Sequence, residues 1–392
     1  MRPLMRPLDG ITVLALEHAV AAPYCTRQLA DRGARVIKLE RSGSGDFARG
    51  YDSRARGLSS HFVWINRGKE SLALDLKHPE AGPILAALAE KADVVVQNLA
   101  PGAAARLGLG WEALHARHPG LILCDISGYG PGSDRKAYDL LVQAEAGLLS
   151  ITGTPDAPVK AGISIADIAA GTFALTGILT ALIRRGRTGE GSHVEISMLH
   201  ALAEWMGYPM YYAMDGAPPP PRAGAAHATI FPYGPFRAAD GEVILGLQND
   251  REWRAFCAGV LRAPDLAEDP RYRDNAARAA NADVLRAEIE GVFADLTCDE
   301  AMARLDAAGI GNARLNDMAA LWAHPALAGR WGEIDSPAGP LPALRPPDAQ
   351  EAEFGPIPAL GQHSRAILKD LDVPDERIEA LARQGALTLG AG

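Results

Sequence analysis

Short apolar runs recur through the first third of the chain, each followed by a polar or amphipathic stretch, and this alternation restricts the fold more than any other feature. Residues 11–16 (Ile-Thr-Val-Leu-Ala-Leu) have the composition of a parallel strand buried on both faces. A helix is expected from Ala22 to Asp31, with Gly33 placed to end it. Arg35–Glu40 reads as a second strand, which completes a βαβ unit. Further strands are expected at Ser71–Leu76, Asp93–Asn98 and Leu121–Ile126. Between them, Pro79 suits the first turn of a helix running to Lys91, and Glu112–His118 is amphipathic. Strands alternating with helices predict an α/β domain with a mostly parallel sheet. Ligands of such sheets bind beyond the carboxyl ends of the strands, so the loops after Glu40, Asn98 and Ile126 should share one face. The first turn lacks Gly-x-Gly-x-x-Gly, which argues against a conventional NAD or FAD site.

A later stretch, Gly162–Gly171, carries one carboxylate, Asp167, among small and apolar residues and leads into the apolar run Thr172–Ile183. Ser164 and Asp167 form a Ser-x-x-Asp pattern, which predicts a capping box with Ser164 at the N-cap and Asp167 in the first turn of a long helix. Free N–H groups and the helix dipole favour an anion there. Taken alone, the stretch is explained by a cap without chemistry.

The second half changes character. Ser192–Ser197 reads as a strand and Met198–Met214 as a helix, and Pro218–Pro221 is a stiff linker. Pro235–Leu247 reads as a hairpin turning at Asp240-Gly241, with helices expected at Glu252–Val260, Asn275–Phe293 and Asp299–Ala308. A proline-rich stretch, Pro337–Pro347, precedes an amphipathic tail from Gly361 to Ala386. The chain is expected to divide into a large α/β domain, residues 1–215 completed by 330–392, and a smaller α+β domain, residues 216–329.

The 392 residues carry a net charge of −9, so no basic field invites nucleic acid or an anionic membrane. Any anionic ligand must be held by local Arg and Lys. Cys25, Cys124, Cys257 and Cys298 lie far apart, the usage of buried thiols in a reducing compartment. The N-terminus, with its repeated Met-Arg-Pro-Leu, lacks the apolar core of a signal peptide, and no apolar run reaches the roughly 18 residues of a membrane span. A cytoplasmic enzyme or binding protein is expected. The histidines do not cluster at ligand spacing, so no metal site is expected. What remains is a basic and polar set at the sheet's carboxyl edge, Arg41, Arg49, Asn98, Arg106 and Lys136, which together suit a phosphorylated ligand.

In order along the chain stand Pro7-Leu-Asp-Gly-Ile-Thr-Val-Leu14, Ala22-Pro-Tyr-Cys-Thr26, Ala34-Arg-Val-Ile-Lys-Leu-Glu40, Gly43-Ser-Gly-Asp46 and Asn66-Arg-Gly-Lys69. Gln97-Asn-Leu-Ala-Pro-Gly102, Ile126-Ser-Gly-Tyr-Gly130, Tyr138-Asp139, Gly186-Arg-Thr-Gly-Glu-Gly191 and Leu360-Gly-Gln-His363 follow. With these motifs the sequence resembles the class III CoA-transferases over almost its whole length. The resemblance implies a Rossmann-like large domain and an interlocked homodimer whose active site lies between the large domain of one chain and the small domain of the other. It makes Asp167 the nucleophile and assigns coenzyme A contacts to Val20, Arg41, Leu74, Asn98, Arg106, Lys136 and Tyr138. A coenzyme A thioester is then a substrate, and no tightly bound cofactor is needed.

Val20 stands where formyl-CoA transferases carry glutamine, which argues against formate or oxalate. The related α-methylacyl-CoA racemases use a histidine at the position of Tyr138, and tyrosine is a poor base near neutral pH. Arg222–Phe236 and Leu247–Trp253 resemble the branch acting on short dicarboxylates: itaconate, mesaconate, malate or citramalate, with succinyl-CoA as donor. Itaconate is the first expectation, with Arg222 and His227 as substrate contacts. The resemblance further implies that Asp167 is acylated and that Ile163, Ile165, Ala166 and Ala169 keep water from an anhydride. Two other readings are an isomerase that removes an α-proton from an acyl-CoA, and a coenzyme A-binding protein in which Asp167 only caps its helix.

Overall fold

A computed structural model of the chain describes residues 6–349 and 354–390. Most of the repeated N-terminal tetrapeptide lies outside the described residues. Two compact units form: a large one from Met1–Ala146, Ala161–Gly207 and Gly329–Gly392, and a small one from Gly147–Lys160 and Tyr208–Ala328. The break at 207–208 comes before the expected boundary at 215, and 147–160 joins the small unit. Gly207 and Pro209 account for the early break. They divide the helix expected over Met198–Met214 into Met198–Trp205 and Gly207–Tyr212. Pro218–Pro221 therefore lies inside the small unit.

In the large unit, strands β1 (Thr12–Leu16), β2 (Arg35–Glu40), β3 (Lys69–Leu74), β4 (Val94–Gln97), β5 (Ile122–Ser127), β6 (Ser192–Ser197) and β7 (Leu387–Thr388) form one sheet in the order β7-β3-β2-β1-β4-β5-β6. β1 to β6 run parallel, and β7 pairs antiparallel with β3. This is the Rossmann strand order with an added edge strand, and it reverses direction between β1 and β4. The helices are α1 (Ala21–Asp31), α2 (Ser60–Asn66), α3 (Ala81–Lys91), α4 (Ala103–Arg106), α5 (Trp111–Arg117), α6 (Asp139–Glu145), α7 (Ile165–Thr188), α8 (Met198–Trp205), α9 (Ser364–Asp370) and α10 (Asp375–Arg383).

Alternation along β1 sends Val13 and Ala15 to one face and Leu14 and Leu16 to the other. The first face packs against α1, α7 and α8 through Ala22, Cys25, Leu29, Ala170 and Leu202. The second packs against α3, α5 and the tail helices through Leu85, Leu88, Leu114, Ile367 and Ile378. Burying each large side chain of this kind contributes about 1.5–3 kcal/mol.

α7 corrects one expectation. It is 24 residues long and apolar enough, by length and composition, to cross a membrane. Within it, Thr172, Thr176 and Thr180 return their hydroxyls to the carbonyls of Ile168, Thr172 and Thr176. Here the helix is part of the core: Ala166, Ala169, Ala170, Ala174 and Ile178 are fully buried. Gly171 lets it approach α1 closely, since a Cβ there would stand 2.6 Å from the Ala21 carbonyl oxygen.

The small unit has its own core around Phe236, Val243, Leu245, Trp253, Phe256, Tyr272 and Phe293. Its sheet pairs Tyr233–Ala238 with Gly241–Gly246, the expected hairpin, and adds the strand Gly311–Arg314. The helix expected over Asn275–Phe293 breaks at Asn281 into Asn275–Ala280 and Ala282–Phe293. Cys298–Ala307 begins with a full capping box between Thr297 and Glu300.

Candidate active site

The loops leaving β1 and β4 meet at the point where the strand order reverses. Asn98 joins them: its Oδ1 accepts the His18 N–H at 3.0 Å and its Nδ2 donates to the His18 carbonyl at 2.9 Å. Ala19 then takes a left-handed φ of 62°, and its N–H donates to Asp46 Oδ1 at 3.2 Å. Val20, buried, leads into α1. A cleft of about 590 Å³ opens beside this turn, and Glu17, His18, Arg41, Asp46, Leu74 and Leu99 line part of it. It lies at the carboxyl ends of β1, β2 and β3, where the alternating pattern places a ligand.

A buried ion network holds the floor of the cleft. Lys69 Nζ donates to Glu17 Oε1 at 2.6 Å and to Asn66 Oδ1 at 3.0 Å, and Lys38 Nζ donates to Asp46 Oδ2 at 2.9 Å. Burial opposes the charge on Glu17, but the two lysines hold its carboxyl below the ordinary range. Burial brings Lys69 down to about 8, against the pull of Glu17. Arg49, expected to face a ligand, is committed elsewhere. Its Nε and Nη2 donate to Glu40 at 2.8 Å each, and its guanidinium lies 3.8 Å from the centre of the Phe62 ring. Of these network charges only Arg49 was expected to face a ligand, while Lys38, Glu40, Asp46 and Lys69 fall within the motifs Ala34–Glu40, Gly43–Asp46 and Asn66–Lys69.

Asp167 sits in the first turn of α7, but the expected capping box does not form. Ser164 makes no side-chain capping bond. The Ala166 N–H donates instead to Asp139 Oδ1 at 2.8 Å. Asp167 is half-buried, and its carboxylate makes no hydrogen bond or ion pair among the described residues. Burial, then the charge of Asp139, pushes its carboxyl up to about 7. Burial and the neighbouring charge of Asp139 therefore outweigh the stabilisation expected from the helix start, and the Asp167 carboxyl is more basic than an ordinary one. Ala166 and Ala169 are fully buried and Ile165 partly so, whereas Ile163, which precedes the helix, is 58% exposed.

A row of aromatic rings leads from the cleft toward Asp167. His18 lies 4.8 Å from Phe47, and Phe47 lies 6.0 Å from Tyr51, centre to centre. Burial, then the charges of Asp46 and Asp167, raises the Tyr51 phenol above its usual range. Arg41 lies over Phe47 at 5.4 Å. Burial lowers the His18 imidazole, and its buried Nδ1 has no hydrogen-bond partner among the described residues. Phe47 and Tyr51 sit in a glycine-rich loop without periodicity, so no sequence pattern marks them.

Of the expected contacts, Arg41 and Leu74 line the cleft, while Val20 and Asn98 build the turn beside it. Arg106, Lys136 and Tyr138 are exposed on the segments after β4 and β5, outside the lining of the cleft. In the small unit, Arg222 donates from Nε and Nη2 to the carbonyls of Thr154 and Pro155, both at 2.8 Å. His227 Nδ1 accepts the N–H groups of Thr229 at 3.2 Å and Ile230 at 3.1 Å, and its ring stacks on Tyr233. These bonds leave the proton on Nε2.

Residues 8–364 match the model of CoA-transferase family III. The chain is 33% identical to succinyl-CoA:glutarate CoA-transferase of Mus musculus, covering 98% of this chain and 91% of that protein. It is 38% identical to succinyl-CoA:mesaconate CoA-transferase of Haloarcula hispanica, covering 73% of this chain and 74% of that one. The crystal structure of a CAIB/BAIF family protein from Brucella suis superposes with a TM-score of 0.81 at 33% identity, over 94% of this chain and 100% of that one.

Proposed function

The chain belongs to CoA-transferase family III, and we propose that it moves coenzyme A from succinyl-CoA to a five-carbon dicarboxylic acid, with Asp167 as a covalent nucleophile. The observation that carries this reading is Asp167 itself, a half-buried carboxylate without a partner among the described residues, at the start of a core helix. Glutarate and mesaconate appear in the names of similar proteins. Itaconate and citramalate share their carbon count and belong to the same proposed class.

An Asp167 oxygen attacks the donor thioester carbonyl. The C–S bond breaks, and its electron pair leaves on the coenzyme A thiolate, giving an aspartyl anhydride. The thiolate attacks the aspartyl carbonyl and expels the donor acid, leaving an aspartyl thioester. The acceptor carboxylate displaces the thiolate to form a second anhydride, and the thiolate then takes the new acyl group and frees Asp167. No proton is gained or lost over the cycle. A basic carboxylate suits the first step, since acylation removes a charge that burial disfavours. The cleft beside Arg41 and Leu74 suits the nucleotide end of the ligand. Within the small unit, the Nε2–H of His227 suits a carboxylate. The exposed Trp205, Tyr208, Met210 and Tyr211 favour a homodimer. The buried thiols suit the cytoplasm.

The test pairs succinyl-CoA with glutarate, itaconate, mesaconate, citramalate and oxalate. Turnover highest with a five-carbon acceptor supports the reading, and preference for oxalate overturns the substrate class. Hydroxylamine should inactivate the enzyme only when acyl-CoA is present. Full resistance overturns the covalent mechanism and favours α-proton removal.

A further inference from the structure

Two carboxylates share the start of α7, and only one of them is held. Asp139 Oδ1 accepts the Ala166 N–H at 2.8 Å, immediately before Asp167. Asp139 Oδ2 accepts Gln143 Nε2 at 2.6 Å. Gln143 is fully buried, and its Oε1 accepts the Ala161 N–H at 2.9 Å. α6 thus clasps the chain entering α7 at two points, and Asp139 does the capping that Ser164 does not. Asp167 receives none of these donors. We infer that Asp139 is a positioning residue: it fixes the helix start that aims Asp167, and its charge favours the acylated, neutral form of the nucleophile over the free carboxylate.

The physical reason is charge movement. Attack forms the bond from oxygen to acyl carbon, breaks the C–S bond and carries the negative charge away on sulfur. A fixed anion beside Asp167 makes the starting carboxylate more basic and its loss of charge more favourable. The same anion, bonded to a backbone N–H and a buried amide, cannot turn away to relieve the repulsion. The titratable groups around Asp167 are Asp139 on α6, Tyr138 before it, and Tyr51 on the loop after β2; α1 presents Tyr24 further along, at Gly171. Only Asp139 among them adds to burial in raising Asp167.

The inference rests on the covalent reading above. Asp139→Asn keeps an oxygen for the Ala166 N–H and removes the charge, while Asp139→Glu keeps the charge on a longer arm. For Asp139→Asn, the acid limb of kcat/KM should move down by about one pH unit and kcat should fall about tenfold, the equivalent of one pKa unit. KM for succinyl-CoA should stay within about twofold, because the cleft is untouched. Asp139→Glu should keep the wild-type acid limb. An Asn variant with wild-type limb and kcat overturns the inference, as does an equal shift in the Glu variant. Should the Asn variant not fold, the Glu variant alone decides: a limb lowered by about one pH unit refutes the role of charge, and an unmoved limb sustains it. Hydroxylamine trapping on the wild-type enzyme separates the two readings. Failure to trap removes the covalent mechanism, whereas trapping with an unmoved Asn variant removes only the part assigned to Asp139.

Discussion

Asn98 and His18 are joined twice, through the N–H and the carbonyl of one histidine. They leave β4 and β1, the strands on either side of the reversal, so this clasp sets the wall of the cleft. Asn98→Asp keeps an acceptor but sets a negative charge against the His18 carbonyl. The unsatisfied groups should cost about 1–3 kcal/mol. KM for the coenzyme A ester is expected to rise about tenfold, since 1.4 kcal/mol is a factor of ten, with a smaller change in kcat. Steady-state kinetics and a thermal melt check this, and an unchanged KM rejects the clasp as a determinant of the site.

Asp167 links activity and stability to pH in opposite directions. Its folded carboxyl holds a proton up to about 7, above the ordinary carboxylate value. The folded state therefore binds more protons than the unfolded state in between, and this contribution to stability is lost as pH rises from about 4 to about 7. Turnover should rise over the upper part of that window as the nucleophile ionises. Asp167→Asn should be inactive at every pH. It should melt above the wild type at pH 8 and at nearly the same temperature at pH 4. A variant that melts below the wild type at pH 8 contradicts this assignment.

The charges under the cleft are interdependent. The side chains of Glu17, Lys38, Asp46 and Lys69 are 0% exposed. Glu17→Gln leaves a lysine charge buried without its partner and is expected to destabilise the fold by about 3–5 kcal/mol. The pair Glu17→Leu with Lys69→Met should cost less than the two single changes added together, by about 0.5–3 kcal/mol. Urea unfolding of the four proteins measures this coupling; strict additivity would show that the network is not cooperative.

Gly171 tests the contact between α7 and α1. Gly171→Ala puts a methyl group 2.6 Å from the Ala21 carbonyl oxygen and should cost about 1–3 kcal/mol. Because Asp167 lies one turn earlier, kcat should fall as well. Gly186→Ala, in the same helix with open space around it, should stabilise by about 0.5–1 kcal/mol. Equal effects at the two positions would mean that close approach is not what Gly171 supplies.

Where burial imposes a strict pattern, the sequence was legible. The run Arg35–Glu40, buried along almost its whole length, is a strand with the expected ends. α2 was not legible, since Ser60-His-Phe-Val-Trp-Ile-Asn66 is rich in β-branched and aromatic residues and becomes helical through packing. β7 has only Leu387 and Thr388 and exists through its pairing with β3. Glu17 and Lys69 stand 52 residues apart, and no local pattern links them. Only the meeting of β1, β2 and β3 at one depth makes them a buried pair.

By itself the sequence determined the alternation that makes a parallel sheet, the placement of its loops on one edge, and Asp167 at the start of a long helix. Those follow from local periodicity and from the small set of residues that can begin a helix. The tertiary structure decided the rest of what matters for chemistry. It gave the capping role to Asp139, 28 residues before Asp167, left the Asp167 carboxylate without a donor among the described residues, and raised its proton affinity. No local pattern encodes that outcome, because the energy of a carboxylate depends on which charges and N–H groups the fold brings beside it and how much water it removes.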